Sequence, residues 1–264
     1  MSSNGLDLGI AGKTALVCGS TMGLGNACAS ALAAAGAQVV VNGRTAKTVD
    51  AAVKALEDRF GRPFKGVAAD VTTSEGRSIL LAACPDPDIL VTNAAGPPPG
   101  RFEDWDETAW EAALAANMVA PIMLIRQILG PMRRRRWGRI LNITSGAVKA
   151  PLPMLGLSNG ARSGLTGFVA GLAREVARDG VTINNLLPGN FATDRLHRYV
   201  AALAGARGMS SQDIWAEMES ANPSGRIGVP EEFGAACAFF TSQHAGFITG
   251  QNLLLDGGAY PGTF

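Results

Sequence analysis

The chain has 264 residues, of which 47% are hydrophobic and 17% are charged, and its formal net charge is +1. This composition excludes a disordered or fibrous protein, and the near-neutral charge gives no reason to expect nucleic acid or an anionic membrane as a partner. Four scattered cysteines without a C-x-x-C pair, together with only two histidines, predict that the chain has no metal site.

The N-terminus and the cysteines favour a cytoplasmic protein. Residues 1–5 carry neither the basic nor the apolar region of a secretory signal peptide. The cysteines fit small, buried apolar positions in a reducing compartment. Because no run of about 18 uninterrupted apolar residues occurs, no membrane-spanning helix is expected.

Short runs rich in β-branched residues alternate along the chain with longer stretches rich in alanine and leucine. The short runs predict strands at residues 14–17, 38–41, 64–68, 89–91, 139–143, 182–186 and 252–255. The longer stretches predict helices near residues 25–34, 48–60, 74–83, 110–132, 159–177 and 231–240. Strict alternation, with strands that are apolar throughout, predicts one α/β domain over residues 1–264, with a doubly wound parallel sheet of about seven strands and helices on both faces.

One irregular stretch, residues 188–222, follows the sixth predicted strand. It contains helical fragments separated by glycines and polar residues. Ligands of open α/β sheets bind outside the carboxyl ends of the strands. We therefore expect this stretch to form a substrate lid.

A glycine-rich turn with the spacing G-x-x-x-G-x-G joins the first predicted strand to the first helix. Glycines at such a turn let the backbone approach a pyrophosphate, whose charge then meets the N-terminus of the helix. The context of strand, turn and helix therefore predicts a Rossmann-type dinucleotide site. Its expected cofactor-binding residues are Gly19, Thr21, Met22, Gly23, Leu24 and Gly25.

The glycine spacing is similar to that of the short-chain dehydrogenase/reductase family, and further matches follow in order along nearly the whole chain. The matching residues are Asp70 and Val71, then Asn93, Ala94, Ala95 and Gly96, then Pro188, Gly189 and Thr193, and finally residues 255–258. The resemblance implies that Asp70 contacts adenine. It implies that residues 93–96 correspond to the family's N-N-A-G motif with the second asparagine replaced, and that residues 188–193 hold the nicotinamide carboxamide.

The end of the second predicted strand bears on the choice of cofactor. NAD-dependent relatives place a carboxylate there to bind the ribose hydroxyls, whereas this chain has no acid in its Asn42-Gly43-Arg44-Thr45 segment. The planar fork of Arg44 suits a 2′-phosphate, and we expect Asn42 and Thr45 to add hydrogen bonds. Met22 occupies a position where many NADP-binding relatives have a second basic residue. The sequence favours NADP over NAD.

The resemblance also implies a catalytic set that departs from the family pattern. In the family, a tyrosine exchanges a proton with the substrate oxygen and a lysine one helical turn later holds the ribose, while a serine and an asparagine assist. Asn117 and Ser145 match the asparagine and the serine, but Ser158 and Arg162 stand where the tyrosine and the lysine are expected. Arg162 retains a cation for the cofactor ribose, whereas the hydroxyl of Ser158 is far too weak an acid to replace tyrosine.

Four other proton sources are open. Lys149 follows the fifth predicted strand, and His197 and Tyr199 lie in the predicted lid. A water ordered by the catalytic side chains is the fourth. Because general acid catalysis contributes about 10²–10⁴-fold, the loss of the tyrosine predicts a slow enzyme or a proton from one of these sources.

The substrate pocket is expected to be largely apolar. The prolines at residues 97–99 stiffen a donor-free segment beside the cofactor motif. The other expected pocket residues are Phe102, Trp105, Leu152, Met154, Leu155 and Phe191. No cluster of basic residues suits a substrate rich in carboxylate or phosphate.

Two functions follow from the sequence. The first is an NADP(H)-dependent oxidoreductase that acts on a ketone, aldehyde or secondary alcohol, with an oxo-ester or hydrophobic carbonyl as first expectation and a C=N substrate as a further one. The alternative is a dinucleotide-binding sensor or partner subunit without turnover. The resemblance also implies a homodimer or homotetramer that forms through the predicted helices near residues 110–132 and 159–177.

Overall fold

The structure is a computed structural model that describes residues 6–263. Residues 1–5, on which the expectation about a signal peptide rests, lie outside the described residues. Within the described range the strands are β1 (Thr14–Val17), β2 (Gln38–Gly43), β3 (Lys65–Ala68), β4 (Ile89–Thr92), β5 (Gly138–Ile143), β6 (Val181–Pro188) and β7 (Asn252–Leu255). The α-helices there are α1 (Gly23–Ala34), α2 (Ala46–Phe60), α3 (Ser74–Ala83), α4 (Glu107–Leu114), α5 (Ala120–Arg134), α6 (Gly156–Val176), α7 (Asp194–Arg207), α8 (Ser211–Ser220) and α9 (Pro230–Phe240).

The strands form one parallel sheet in the order β3-β2-β1-β4-β5-β6-β7. β1 and β4 are neighbours in space although β2 and β3 lie between them in the chain. The winding of the sheet therefore reverses between β1 and β4, and ligands of such sheets bind at this switch point. The predicted single Rossmann-type domain with its parallel sheet is confirmed.

Helices cover both faces of the sheet, as predicted. On one face, Leu32 of α1 and Phe233 of α9 pack against strand residues such as Val41 in one core cluster. On the other face, Ile128 of α5 and Leu165 of α6 belong to a second cluster. Burial of apolar side chains on both sides is the main force that holds the two helical layers on the sheet.

Two strands differ from the prediction that the strands are apolar throughout. β5 and β6 carry buried polar residues whose side chains form a ladder across four neighbouring strands. Thr92 Oγ1 donates to Asn142 Oδ1 at 2.7 Å, Asn142 Nδ2 donates to Asn185 Oδ1 at 3.1 Å, and Asn185 Nδ2 donates to Asn252 Oδ1 at 2.7 Å. Mutual hydrogen bonding removes most of the cost of burying these groups. We call these four residues the amide ladder.

The segment at residues 188–222 is more regular than predicted. It contains two complete helices, α7 and α8, whose N-caps are Thr193 and Ser210. Leu196, Val200 and Ile214 form part of a small apolar cluster of its own, separate from the two clusters on the sheet. The sequence pattern looked irregular because this small core needs few apolar residues.

α4 and α5 join through a π-helical turn into one helix over Glu107–Arg134, which by length and composition would be able to cross a membrane. From the sequence no such helix was expected, because an uninterrupted run of apolar residues was required and this helix includes a few polar ones. In its most apolar window, 39% of the residues are buried inside the fold. Leu124, Ile128 and Met132 of α5 lie in the core against the sheet, so core packing explains the apolar character of this face.

Candidate cofactor and catalytic site

The turn after β1 has a backbone that only glycine suits. Gly19 and Gly23 have φ values of +54° and +58°, in the left-handed region. A Cβ atom on Gly25 would lie 2.3 Å from the carbonyl oxygen of Gly19. The turn is therefore closed tightly on itself and leaves the N-terminus of α1 accessible.

The N-terminus of α1 has free donors. Its N-cap is Met22, which makes no side-chain cap hydrogen bond and is 51% exposed. The first N–H groups of a helix have no partner within the helix and attract anions. Half-buried Leu24 completes this turn, and the whole arrangement fits a pyrophosphate.

Asn42 holds this turn in place and corrects one expectation. Its side chain is 1% exposed, and Oδ1 accepts a hydrogen bond from Gly19 N at 3.2 Å. Its Nδ2 donates to the carbonyl oxygens of Val67 and Ala69. The amide is thus fully engaged inside the protein, and the expectation that it binds a 2′-phosphate is wrong. From the other side, Asn93 Nδ2 donates to the Gly19 carbonyl at 3.0 Å.

The adenosine end of the predicted site brings Arg44 and Asp70 to one edge. Asp70 Oδ1 accepts hydrogen bonds from the backbone and hydroxyl of Thr72, which lower the pKa of Asp70, and the charge of Arg44 lowers this pKa further. Exposed Thr45 caps α2. Thr21 lies against Gly43, where a Cβ atom would meet its methyl group at 2.5 Å. No acidic residue occupies residues 42–45, so this end suits a 2′-phosphate.

The remaining predicted cofactor residues lie at the ends of β3, β4 and β6. Val71 is mostly buried in the second core cluster, and Ala94 and Ala95 continue from Asn93. Pro188 is the last residue of β6, and Gly189 N donates to the Leu255 carbonyl at 2.8 Å.

Thr193 reaches the glycine-rich turn. A Cβ atom on Gly23 would lie 3.8 Å from Thr193 Cγ2. The sequence placed Thr193 at the nicotinamide carboxamide. The structure brings this residue against the glycine-rich turn, so the N-terminus of α7 lies over that turn; the contact of Thr193 with the carboxamide stays a prediction.

Asn117 lies in the π-helical turn Ala115–Val119. This side chain is 4% exposed, and its Nδ2 donates to the Ala113 carbonyl at 3.3 Å and, at 3.5 Å, to the Ala95 carbonyl. Its Oδ1 is buried and has no partner among the described residues. π-helical turns are frequent at functional sites, and an unpaired buried acceptor requires a donor from outside.

Ser145 follows the end of β5. Ser145 Oγ accepts a hydrogen bond from Ala147 N at 3.1 Å, so its proton is free to be donated elsewhere.

Ser158 and Arg162 face the same region from α6, and each is 7% exposed. Arg162 Nη1 donates to the carbonyl oxygens of Ile143 and Thr144, at 2.8 Å and 2.7 Å. These carbonyls come directly before Ser145, so the structure brings Arg162 and Ser145 together at the carboxyl end of β5. The Ser158 hydroxyl forms no hydrogen bond with any residue in the range 6–263.

Burial and, to a smaller extent, the charge of Arg195 together lower the pKa of Arg162 to about 10. A pKa in that range still leaves the guanidinium charged at neutral pH. Arg162 therefore places a permanent positive charge beside Ser145.

The other expected proton sources have different surroundings. The His197 ring stacks on Trp215, with centroids 4.8 Å apart, and Tyr199 is exposed on α7. Lys149 Nζ lies 5.9 Å from the centroid of the Tyr260 ring. No hydrogen bond within the described part of the chain joins these three residues to the Ser145 or Ser158 side chains.

A cavity of about 420 Å³ lies beside Asn117. Its lining includes the prolines at residues 97–99, Trp105 and Leu157. The expectation of an apolar pocket thus fits for the prolines and Trp105. Phe102, Leu152 and Met154 are exposed and, like half-buried Leu155, do not line it, and Phe191 packs on Phe233 in the core.

Arg195, in the first turn of α7, was missed in the sequence. A Cβ atom on Gly96 would lie 2.6 Å from Arg195 Nη1, so the guanidinium lies directly against this residue. Arg195 is also close enough to Arg162 to lower its pKa. Two arginines therefore converge here, and the expectation that no basic cluster exists is wrong. The signal was present in its position two residues after Thr193, but only the fold of α7 turns it toward β4.

Within residues 6–263, no group of three or more histidine, cysteine, aspartate or glutamate residues comes together in a way that would hold a metal ion.

The chain is similar in sequence to a known family of enzymes. A family model described as enoyl-(acyl carrier protein) reductase matches residues 19–260. The 3-oxoacyl-[acyl-carrier-protein] reductase of Vibrio cholerae is 33% identical over 259 residues, which span 96% of this chain and 99% of that protein.

Solved structures agree with this relationship. L-Sorbose reductase from Gluconobacter frateurii, complexed with NADPH and L-sorbose, superposes with a TM-score of 0.93 at 27% identity, over 98% of this chain and 100% of that chain. A 3-oxoacyl (acyl-carrier-protein) reductase from Agrobacterium tumefaciens C58 with NADP bound gives a TM-score of 0.86 at 28% identity, over 95% of each chain. Both contain the cofactor that the sequence favours here. The chain belongs to the short-chain dehydrogenase/reductase family of oxidoreductases, as its ordered motifs predicted.

Proposed function

We propose that this protein is an NADPH-dependent reductase of a polarised double bond, either C=O or C=N, in a small substrate. The observation that carries the proposal is the pairing of Arg162 with the end of β5. Its two bonds to the Ile143 and Thr144 carbonyls fix a cation against the backbone that leads into Ser145. Such a fixed charge stabilises negative charge that develops in a transition state.

NADPH is the cofactor that fits the residues present. The uncapped N-terminus of α1 and the closed turn at Gly19 accept the pyrophosphate. Arg44 and the N-terminus of α2 would hold the 2′-phosphate. When bound, this cofactor supplies the hydride that adds to the carbon of the double bond.

The side chains at β5 and α6 act on the other atom of that bond. Ser145 donates its hydroxyl proton in a hydrogen bond to the substrate oxygen, since this hydroxyl accepts a bond from Ala147 N and donates none within the described residues. Arg162 stabilises the negative charge that forms on this oxygen. Asn117 offers its unpaired Oδ1 to a water or to an N–H or O–H group of the substrate.

Ser158 stands in the place of the family tyrosine in this proposal. Its hydroxyl has a pKa far above neutrality and donates a proton poorly. A ketone therefore receives its proton from a water beside Ser158, from Lys149, or from His197 or Tyr199 if the lid brings them in. An iminium substrate already carries its proton and needs none of them, so a C=N substrate suits this site well.

A second candidate is a dinucleotide-binding sensor or partner subunit without turnover. The isolated Ser158 hydroxyl favours it, since no described residue forms a proton relay through this side chain. The engaged Arg162 and the unpaired Asn117 favour the enzyme instead, because a protein that only binds a dinucleotide needs neither.

The deciding experiment offers the purified protein NADPH, and then NADH, with a panel of ketones, 3-oxo-thioesters and cyclic imines. The absorbance of the reduced nicotinamide measures turnover, and nicotinamide fluorescence measures binding. We expect oxidation of NADPH with at least one class of substrate. Tight NADPH binding with no oxidation by any member of the panel would establish the sensor.

Ser158→Tyr tests the proposed place of Ser158. If the site is a reductase that lacks its acid, ketone turnover increases by up to about 10²-fold, the low end of what general acid catalysis contributes. Imine turnover should not increase. Ser158→Phe is the matched control, because it adds the same ring without the hydroxyl; a gain in that variant would contradict the proposed role.

We further propose that residues 188–222 act as a lid, that the protein is a homodimer or homotetramer, and that it works in the cytoplasm. The four cysteines are buried and unpaired by disulfides, as a reducing compartment permits. α6 carries Gly167 and Gly171 with open space beside them, where a second copy of the helix would pack closely. Light scattering on the purified protein measures the oligomeric state.

A further inference from the structure

Arg195 is a cation at the active site that no internal group neutralises. Its guanidinium lies against Gly96, at the end of the loop that follows β4. In the described part of the chain, Arg195 forms no ion pair and no hydrogen bond. Arg207, at the other end of α7, pairs with Glu217. Arg195 and Arg198 are both exposed and form no ion pair within the described residues, but only Arg195 lies against Gly96.

A second cation lies nearby. Arg162 is almost completely buried, and its Nη1 bonds only to neutral carbonyl oxygens. Neither Arg162 nor Arg195 takes part in an ion pair: no carboxylate oxygen within residues 6–263 lies within 4.0 Å of their nitrogens. Like charges that lie near each other repel, and an anion bound beside them removes this cost. Because Arg195 is exposed, solvent screens part of the repulsion.

The position of Arg195 connects it to the substrate cavity. Ala95 and the prolines at residues 97–99 line the cavity of about 420 Å³, and Gly96 lies between them in the chain. The cavity offers mainly apolar surface together with the unpaired Asn117 Oδ1 and Asp104, whose carboxylate pairs with Arg101. Arg195 itself does not line the cavity and lies at its rim, against Gly96. A ligand that fills it would hold its apolar part against the prolines and Trp105, and a terminal charge at the rim would meet Arg195.

We propose that Arg195, supported by Arg162, recognises a carboxylate of the substrate, so that the physiological substrate is an oxo- or imino-acid with an apolar body. This inference rests on the proposed reductase function and names its substrate class. Arginine binds carboxylates through two parallel N–H···O hydrogen bonds, a geometry that lysine does not provide. Because Arg195 belongs to α7, binding of the carboxylate also holds the lid against β4.

The pyrophosphate of the cofactor is the competing anion, and the geometry separates the two. Thr193 lies beside Gly23 of the glycine-rich turn, where the pyrophosphate is expected. Arg195 instead lies beside Gly96, next to the prolines that line the cavity. Because Gly96 is also one of the predicted cofactor-binding residues, the Kd of NADPH in the Arg195 variants decides which of the two anions this arginine binds.

The test uses pairs of compounds that differ only in charge: an aryl-substituted 2-oxo acid with its methyl ester, and a cyclic imino acid with its methyl ester. Wild-type protein is compared with Arg195→Gln, Arg195→Lys and Arg198→Gln. Arg198 is the matched control, because it is exposed on the same helix and does not touch Gly96. KM and kcat are measured for each compound, and the Kd of NADPH is measured by fluorescence.

For Arg195→Gln we expect KM for the acids to rise at least about tenfold, the effect of losing one charged hydrogen-bonded contact. KM for the esters and the Kd of NADPH should stay within about twofold of wild type. Arg195→Lys should recover only part of the loss, and Arg198→Gln should behave as wild type. Equal effects on acid and ester, or a weaker NADPH affinity that accounts for the loss, would overturn the proposal.

A separate binding measurement keeps this inference distinct from the proposed function. Calorimetry on the NADP⁺-loaded protein measures the affinity for each acid and each ester without turnover. If no compound is reduced but acids still bind more tightly than esters, and only when Arg195 is present, the reductase proposal fails and the carboxylate site stands. If acid and ester bind equally to wild-type protein, the carboxylate site is wrong whether or not turnover occurs.

Discussion

The cofactor side and the catalytic side of the cleft differ in how their polar atoms are paired. On the cofactor side, Asn42, Asn93 and Ser20 all bond to backbone groups of the glycine-rich turn or of the adjacent strands. On the catalytic side, the Asn117 Oδ1 and the Ser158 hydroxyl have no partner in the part of the chain that the structure describes.

This difference separates a site that is complete before its ligand arrives from one that is not. A preorganised turn binds a cofactor without paying for loop ordering. Unpaired buried groups are costly until a ligand or water satisfies them. They therefore favour ligands that can form the missing hydrogen bonds. Substitutions on the cofactor side should therefore act on stability and cofactor affinity, and those on the catalytic side on substrate and rate.

The largest expected effect is that of Asn42→Ala on stability. Three hydrogen bonds to Gly19, Val67 and Ala69 are lost in a buried place. We expect the free energy of unfolding to fall by about 2–4 kcal/mol, because each unsatisfied buried partner costs of the order of 1–3 kcal/mol. Urea unfolding followed by circular dichroism measures it.

The matched change on the catalytic side is Asn117→Ala. This change removes the two long hydrogen bonds from Asn117 Nδ2, at 3.3 Å and 3.5 Å, whereas Oδ1 has no partner to lose. We therefore expect the free energy of unfolding to fall by about 1 kcal/mol, together with a clear fall in turnover. If Asn117→Ala were as destabilising as Asn42→Ala, the difference between the two sides would not hold.

Gly25→Ala comes next, and it acts on cofactor affinity. The added methyl group would lie 2.3 Å from the Gly19 carbonyl and 2.7 Å from Asn93 Nδ2. Relief of this overlap must open the turn, so we expect NADPH affinity to fall by roughly 10–100-fold, as overpacking by one methyl group costs about 1–3 kcal/mol. Fluorescence titration gives the Kd. Gly205→Ala, where no atom lies within 4 Å of the new methyl group, should leave it unchanged.

Arg44→Ser should have a smaller, selective effect. Arg44 is exposed, so the bond that it offers to a 2′-phosphate is screened by solvent. We expect the Kd of NADPH to rise about tenfold while the Kd of NADH does not change. Arg59→Ser, at the other end of α2, is the control, and equal weakening of both cofactors would show that Arg44 does not read the 2′-phosphate.

The smallest expected effect is the response of the rate to pH. Burial lowers the pKa of Arg162 to about 10 in the folded protein, below the value that an arginine has in the unfolded chain. Both forms are protonated between about pH 6 and pH 9, so Arg162 changes neither charge nor stability there. Above that range the unfolded chain binds more protons, and the contribution of this group to stability rises with pH until both forms are deprotonated.

We therefore expect kcat to be flat between about pH 6 and pH 9, since no member of the set Asn117, Ser145, Ser158 and Arg162 titrates there. Initial rates at saturating NADPH and substrate measure this. A transition within this range would show that another group donates the proton. If the transition disappeared in Lys149→Met or in His197→Gln, the substituted residue would be that donor.

Sequence patterns predicted the fold well because its determinants are local. The strands around residues 14–17 and 252–255 were predicted with the observed bounds, since apolar runs between glycines are distinctive. The start of α2 was missed by two residues, because Thr45 both caps the helix and lies in the segment predicted to bind the 2′-phosphate. The amide ladder was missed because its partners lie 43 to 67 residues apart in the chain, which no local pattern reveals.

The site was predicted less completely, because only part of it is determined by neighbouring residues in the chain. The glycine-rich turn is contiguous, and its residues were identified from spacing alone. Arg195 reaches Gly96 only because α7 folds back over β4, and Asn42 turns inward only because β3 offers it two carbonyls. The functions of these two side chains depend on contacts between distant segments, so residue type and spacing pointed elsewhere.

The amide ladder has a consequence for how the chain reaches this fold. All three of its hydrogen bonds run in one direction, from Thr92 to Asn252, and each requires its strand to be in the observed register. A strand displaced by two residues would keep its side chains on the same faces, yet it would leave buried amides without partners. The ladder thus disfavours intermediates whose strands are out of register although their apolar side chains are buried on the correct faces. It acts in the half of the sheet that is synthesised last.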